Sequence, residues 1–256
     1  MARTDDGGDI TESVGATALA VAMARAAESH CECPLFTDPY AQFFVDAATE
    51  RGWDPSEMAE RLPMIRGHAT VRTKWFDEYF IAAGANGIDQ AVILAASLDA
   101  RAWRLPWVKG TVIYEIDRPQ VLAFKADTLA ARGARPATGY RAVPIDLRGD
   151  WPTALREAGF DPSTPTAWCA EGLLPSLPAA GQELLFERIA KLSAAGSRIA
   201  AEAQSPSHLE KRGWAVTAID ELDLMERYDR PPEGGVANLA PRSVFIEARL
   251  NGHCES

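Results

Sequence analysis

From residue 91 onward the chain alternates short apolar runs with longer helix-like stretches, and no other feature limits its fold as much. The apolar runs are "AVILAA" (91–96), "TVIYEI" (111–116), "GYRAVPI" (139–145), "TAWCA" (166–170) and "SRIAAEA" (197–203). Helical patterns over 118–132, about 151–159 and 181–195 separate the later runs. Strands this short and apolar, joined through helices, pair in parallel and need helices on both faces of the sheet. "GWAVTAI" and "SVFIEARL" add two more strands around the helix-like "DELDLMERY". The expectation is an α/β fold, a Rossmann-like seven-stranded sheet covered on both faces.

The first ninety residues read differently. "TESVGATALAVAMARAAES" is an Ala-rich amphipathic helix with Thr11 or Ser13 as its cap. "TDPYAQFFVDAAT" opens a second helix, with Thr37 or Asp38 capping it and Pro39 in its first turn. In "HATVRTKWFDEYFIAAG", Val71, Trp75 and Tyr79 recur every four residues, as do Arg72, Phe76 and Phe80. That helix carries a broad apolar face with Arg72 on it. The chain is therefore read as one unit over 1–256, a helical cap (1–90) followed by an α/β core (91–256). Its length suits a single large core.

The charge balance narrows the partners. With 26 Lys and Arg against 36 Asp and Glu, the net charge is −10, and no basic cluster stands out. Such a chain is a poor ligand for nucleic acid or an anionic membrane. No apolar run approaches the ~20 residues of a membrane span, and "MARTDDGGDITES" lacks the pattern of a signal peptide. A cytoplasmic protein with a small-molecule substrate is expected. Cys31 and Cys33 in "SHCEC" have no second ligand pair for zinc, so the cysteines read as reduced thiols and no metal is expected.

Open parallel sheets bind ligands at the carboxyl ends of their strands. Four acids stand at four such ends: Asp99 past the first strand, Asp117 closing the second, Asp146 after the third and Glu171 after the fourth. Asp117 lies about 20 residues beyond the first turn, the spacing at which an acid holds ribose hydroxyls. The turn itself, Ala95-Ala96-Ser97, has no glycine. A dinucleotide pyrophosphate needs glycine-permitted backbone approach, and four carboxylates would repel it. S-adenosyl-L-methionine has no phosphate. Its sulfonium, ammonium, ribose diol and adenine amine are complemented by carboxylates and carbonyls, and its single carboxylate needs a cation, for which Arg72 is the candidate.

The residues then resemble a known family. "AVILAASLDARAWRLPW", "VIYEIDRPQVLAFK", "VPIDLRGDWPTALREAGFDPSTPTAWCAEGLL" and "SVGATAL" look like the actinobacterial S-adenosyl-L-methionine-dependent methyltransferases related to leucine carboxyl methyltransferase. The resemblance covers most of the chain. It implies a seven-stranded methyltransferase fold with one antiparallel edge strand, and cofactor contacts at Arg72, Ala95 to Ser97, Asp117, Asp146, Leu147 and Glu171; Asp99 joins them from its strand end. Three departures from the family pattern stand out. Ser97 occupies the place of the glycine in "ASGLD". "AEGLLPSL" puts Ser176 where tyrosine is common. Only "SPSHLEKR" joins the fifth strand to "GWAV", where relatives carry a longer insertion. The last two imply a wider substrate pocket. For Ser97 two outcomes are open: a strained positive φ, or a turn shifted to negative φ.

Methyl transfer from a sulfonium chiefly requires alignment of nucleophile, methyl and sulfur. A carboxylate acceptor is already ionised at neutral pH, whereas a hydroxyl needs a base. His30, His68, His208 and His253 read as incidental residues of loops or helix ends. O-methylation of a small-molecule carboxylate is the expected reaction. The alternatives are hydroxyl O-methylation and a non-catalytic cofactor-binding or scaffold protein with a drifted turn. A nicotinamide-dependent oxidoreductase fits poorly with the missing glycines and the four acids.

Overall fold

The computed structural model describes residues 14–203, 207–231 and 243–251. Four helices come first: α1 (Ala16–Ser29), α2 (Ala41–Glu50), α3 (Ser56–Ala59) and α4 (Leu62–Ala85). Then β1 (Gln90–Leu94), α5 (Arg101–Arg104), β2 (Val112–Asp117), α6 (Pro119–Ala131), β3 (Gly139–Pro144) and α7 (Trp151–Glu157) follow. The chain continues with β4 (Thr166–Ala170), α8 (Ala179–Lys191), β5 (Arg198–Ala203), α9 (Ser207–Glu210), β6 (Trp214–Asp220), α10 (Glu221–Arg227) and β7 (Val244–Leu250). The seven strands form one sheet in the order β3-β2-β1-β4-β5-β7-β6. β1 to β5 are parallel, with β1 paired to β2 on one side and β4 on the other.

One expectation about the sheet is corrected. The antiparallel strand is not at the edge: β7 pairs antiparallel with both β5 and β6, and β6 is the edge. Burial follows the placement. Phe245, Ile246 and Ala248 of β7 are buried on both faces, while Ala215, Thr217 and Ala218 of β6 are exposed. The strand with neighbours on both sides is the more buried, and the edge strand meets water.

Strand alternation splits the core in two. Ile93, Ile113, Cys169 and Phe245 face a layer that includes α1, α2, α4 and α6, with Phe44, Phe76, Phe80 and Phe124 packed against them. Val92, Ile116, Trp168 and Ile199 face α7 and α8 through Trp151, Leu155, Phe186 and Ile189. The N-terminal helices thus supply much of one whole face, and α4 carries its polar residues to the carboxyl ends of β4 and β5.

The helix starts are more specific than the sequence implied. Gly15, at φ 93°, precedes α1, whereas Thr11 and Ser13 lie outside the described residues. Asp38 accepts the backbone N–H groups of Tyr40 and Ala41 and so opens α2, which leaves Pro39 before the helix. α4 begins six residues before the periodic stretch at His68, with Pro63 in its first turn.

Candidate functional site

The turn after β1 is held by backbone bonds and one side chain. Ala96 N–H donates to the carbonyl of Ile116 (3.2 Å), and Asp99 N–H to that of Ala96 (2.9 Å). Ser97 N–H donates to Oδ2 of Asp117 at 2.7 Å, and Arg118 N–H to its Oδ1 at 2.7 Å. Ala95 and Ser97 both take the left-handed conformation, at φ 51° and 48°. Of the two outcomes open for Ser97, the strained one is realised. Each such non-glycine residue costs about 1–3 kcal/mol, and persists only where its surroundings over-determine it. Here the bonds from Asp117 and Ile116 do so.

This turn forms one wall of a cleft of about 270 Å³. Val14, Ala18 and Val21 of α1's surroundings make an apolar wall, and Leu173 and Ser176 close another side. The cleft also receives Arg25, Arg72, Asp99 and Glu171. Of the residues singled out from the sequence, Arg72, Ala95, Ser97, Asp99 and Glu171 therefore meet around one space. Asp117 is tied to that space through Ser97. Asp146 and Leu147 lie beyond β3 and do not line the cleft.

The four strand-end acids are not equivalent. Glu171 is almost buried and surrounded by cations: Oε1 accepts from Arg25 Nη2 (3.0 Å) and Arg72 Nε (3.1 Å), and Oε2 from Arg101 Nη1 (2.6 Å). Arg101 is fully buried and also donates to both Asp99 and Asp77. Arg104 donates to Asp77 through two nitrogens, at 2.6 and 2.7 Å. Burial alone would raise the carboxyl groups of Asp99 and Glu171, but the neighbouring guanidinium groups outweigh it and hold both below the usual carboxylate range. Asp146 instead sits near water, where hydrogen bonds from Arg148 lower it to about 2.

Arg72 donates through Nε to Glu171 and through Nη1 to Glu202 Oε2 (3.3 Å). Gly172 lies against it at a left-handed φ of 63°, and a Cβ there would meet Nη1 at 3.4 Å, an ordinary van der Waals contact, so it is the backbone conformation that favours glycine. Among the described residues, Nη2 of Arg72 has no hydrogen-bond partner.

Sequence reading missed Arg25, Arg101, Glu202 and His68. His68 is not incidental: Nδ1 lies 2.7 Å from Glu221 Oε1 and Nε2 lies 3.3 Å from Glu202 Oε1. Two signals were available, a fifth acid at a strand end ("RIAAEA") and the four-residue spacing of His68 and Arg72 on α4. Among the described residues no group of three or more His, Cys, Asp and Glu could hold a metal ion, and no helix is long and apolar enough to cross a membrane.

A seven-stranded, mostly parallel sheet with a bent turn after β1 and an acid closing β2 is a Rossmann-like α/β arrangement, here with a cleft at its switch point. The chain belongs to the leucine carboxyl methyltransferase family, whose model matches residues 18–190. A Mycobacterium marinum protein named "Putative S-adenosyl-L-methionine-dependent methyltransferase" is 54% identical over 311 positions, covering 97% of this chain and 99% of the relative. That alignment is longer than the 256 residues here, so the relative carries insertions this chain lacks. A Mycobacterium sp. (strain JLS) protein of the same name is 53% identical over 238 positions, covering 91% of this chain and 95% of the relative. Among solved structures, a DUF574 family protein from Streptomyces avermitilis matches with a TM-score of 0.52 at 13% identity, covering 89% of this chain and 96% of that one. At that identity the likeness concerns the fold.

Proposed function

We propose that this methyltransferase transfers the methyl group of S-adenosyl-L-methionine to the carboxylate of a small molecule. One observation carries the choice of acceptor. Among the described residues lining the cleft, the titratable groups are Arg25, Arg72, Asp99 and Glu171, and none is suited to take a proton. Arginine stays charged, and both acids are held ionised and occupied by guanidinium donors. A hydroxyl acceptor needs a base; a carboxylate arrives ionised.

The residues present suit the cofactor. Nη2 of Arg72, without a hydrogen-bond partner among the described residues, is available to the cofactor's carboxylate. Asp117 has lone pairs left after accepting from Ser97 and Arg118, and would hold the ribose diol. Ala95 and Ser97, in the bent turn of the cleft, would meet the methionine end, and Asp146 and Leu147, in the loop after β3, would meet the adenine. Asp99 and Glu171 act through the arginines they fix. When bound, the cofactor supplies an activated methyl for in-line displacement. The protein's part is to align the acceptor and keep water out. The apolar wall of Val14, Ala18 and Val21 favours an acceptor with an apolar body.

The test is methyl transfer from labelled S-adenosyl-L-methionine to a panel of carboxylic acids and phenols. Carboxyl methylation yields a product that releases volatile methanol in mild alkali, because esters hydrolyse and ethers do not. Base-stable product would replace this reading by hydroxyl methylation.

A further inference from the structure

His68 lies outside the cleft, yet its contacts bear directly on Arg72. The charged groups that face the imidazole are Glu202 from β5, Glu221 from α10 and Arg72 from the next turn of α4; from β7 comes the ring of Phe245, with centroids 6.1 Å apart. Ser243 ties the two glutamates together. Its Oγ donates to Glu202 Oε1 (2.7 Å), and its N–H to Glu221 Oε2 (3.4 Å).

The geometry allows two wirings. Nδ1 donates to Glu221 in both, but Nε2 lies 3.3 Å from Glu202 Oε1 and also 3.3 Å from Nη1 of Arg72. An imidazolium has a second N–H, which Nε2 gives to Glu202. A neutral imidazole with its proton on Nδ1 has a lone pair on Nε2, for which Arg72 is the donor within reach among the described residues. Nη1 is thus shared between a carboxylate and an imidazole nitrogen, and one proton decides the sharing.

We propose that His68 is a positioning residue for cofactor binding: as an imidazolium it neutralises Glu202 and leaves Arg72 free to offer Nη2 to the cofactor's carboxylate, and as a neutral imidazole it draws Arg72 back along α4. This rests on the assignment of Arg72 to the cofactor's carboxylate. Burial and the charge of Arg72 oppose the imidazolium, but the hydrogen bonds it donates to Glu202 and Glu221 outweigh both and push His68 up to about 9, so the first wiring holds at neutral pH. Loss of that proton also removes a positive charge beside Arg72, so cofactor affinity falls as pH rises through that range.

The experiment is calorimetric titration of the full chain with S-adenosyl-L-homocysteine from about pH 7 to about pH 10, comparing wild type with His68→Gln and His68→Lys. The cofactor's own amino group titrates alike in all three. Wild type is expected to lose about tenfold in affinity beyond the loss seen in His68→Gln, where the step is absent. At neutral pH His68→Gln should bind several-fold more weakly, with His68→Lys recovering part of the difference. In wild type, NMR should show the His68 midpoint moving up when S-adenosyl-L-homocysteine binds, because linkage is reciprocal. That readout stands even if a variant fails to fold. Identical pH profiles in wild type and His68→Gln, or an unmoved midpoint, would overturn the proposal and leave the cofactor site intact. Binding that is lost in Asp117→Ala and unaffected in Arg72→Lys would overturn it too, by removing Arg72 from the carboxylate. No binding by wild type would overturn the cofactor assignment as well.

Discussion

Asp99 and Glu171 occupy the same kind of position as Asp117 and Asp146, each at or just past the carboxyl end of a parallel strand, and the two pairs do different work. The inner pair is buried and enclosed by Arg25, Arg72 and Arg101. The outer pair is half-buried and bonded to backbone N–H groups, with Arg148 ion-paired to Asp146. A carboxylate taken out of water must be matched by charge and hydrogen bonds, so the inner acids build the floor of the cleft. A carboxylate near water keeps lone pairs for a ligand. Position along the sheet invites a ligand, and local depth decides whether the acid can meet it.

The largest effect should come from breaking the inner network. Arg101→Met leaves Asp77, Asp99 and Glu171 short of a cation, and breaking a buried pair from one side costs about 3–5 kcal/mol. Denaturant unfolding should show a loss of that size. Acid attacks the same network. Asp99 and Glu171 are depressed in the folded state, and Glu202 is lowered to about 2 by His68 and Arg72 despite its burial. Protons therefore bind the unfolded chain more readily. The stabilisation is full above the unfolded carboxylate range and is lost as pH falls through the depressed folded values. An unfolding midpoint that does not fall between about pH 5 and about pH 3 would contradict this depth argument.

Next in size, Asp117→Ala should weaken S-adenosyl-L-homocysteine binding by about 2–4 kcal/mol, for two charge-assisted bonds and less than full additivity. It also frees Ser97 N–H, so Asp117→Asn, which keeps one acceptor oxygen, should lose less. Equal affinity in a folded Asp117→Ala protein would place Asp117 with the structural acids.

The smallest expected change is at the turn. With Ser97 at φ 48°, Ser97→Gly relieves strain but loosens the unfolded chain, so stability should shift by only about 1 kcal/mol. Binding should tighten, because the Cβ and hydroxyl leave the path of the methionine end. Weaker binding in the glycine variant would mean that the serine is itself a contact.

Much of this was legible in the sequence, for physical reasons. β4 was read to the residue because "TAWCA" is a bounded apolar run, and Arg72 stood out as a charge on an apolar helix face. What was hidden depends on convergence across the chain. Arg101 lies in "DARAWRL", where nothing local singles it out, yet it is enclosed by Asp77 from α4 and Glu171 from the end of β4. No local pattern reports which of 26 cations neutralises which acid. The positive φ at Ala95 and Ser97 was likewise invisible, since residue type argues against it and it is held by the bonds that Ser97 and Ala96 N–H donate to Asp117 and Ile116. The insertion of β7 inside the edge is a tertiary choice between two strands that both read as strands.

The division between building acids and binding acids is tested most directly by a crystal structure with S-adenosyl-L-homocysteine bound. Both ribose hydroxyls should lie within hydrogen-bond distance of Asp117, with the cofactor's carboxylate on Arg72 and Glu171 still enclosed by Arg25 and Arg101. A cofactor whose ribose hydroxyls meet Glu171 or Asp99, with their arginines turned away and Asp117 left to the turn alone, would contradict it.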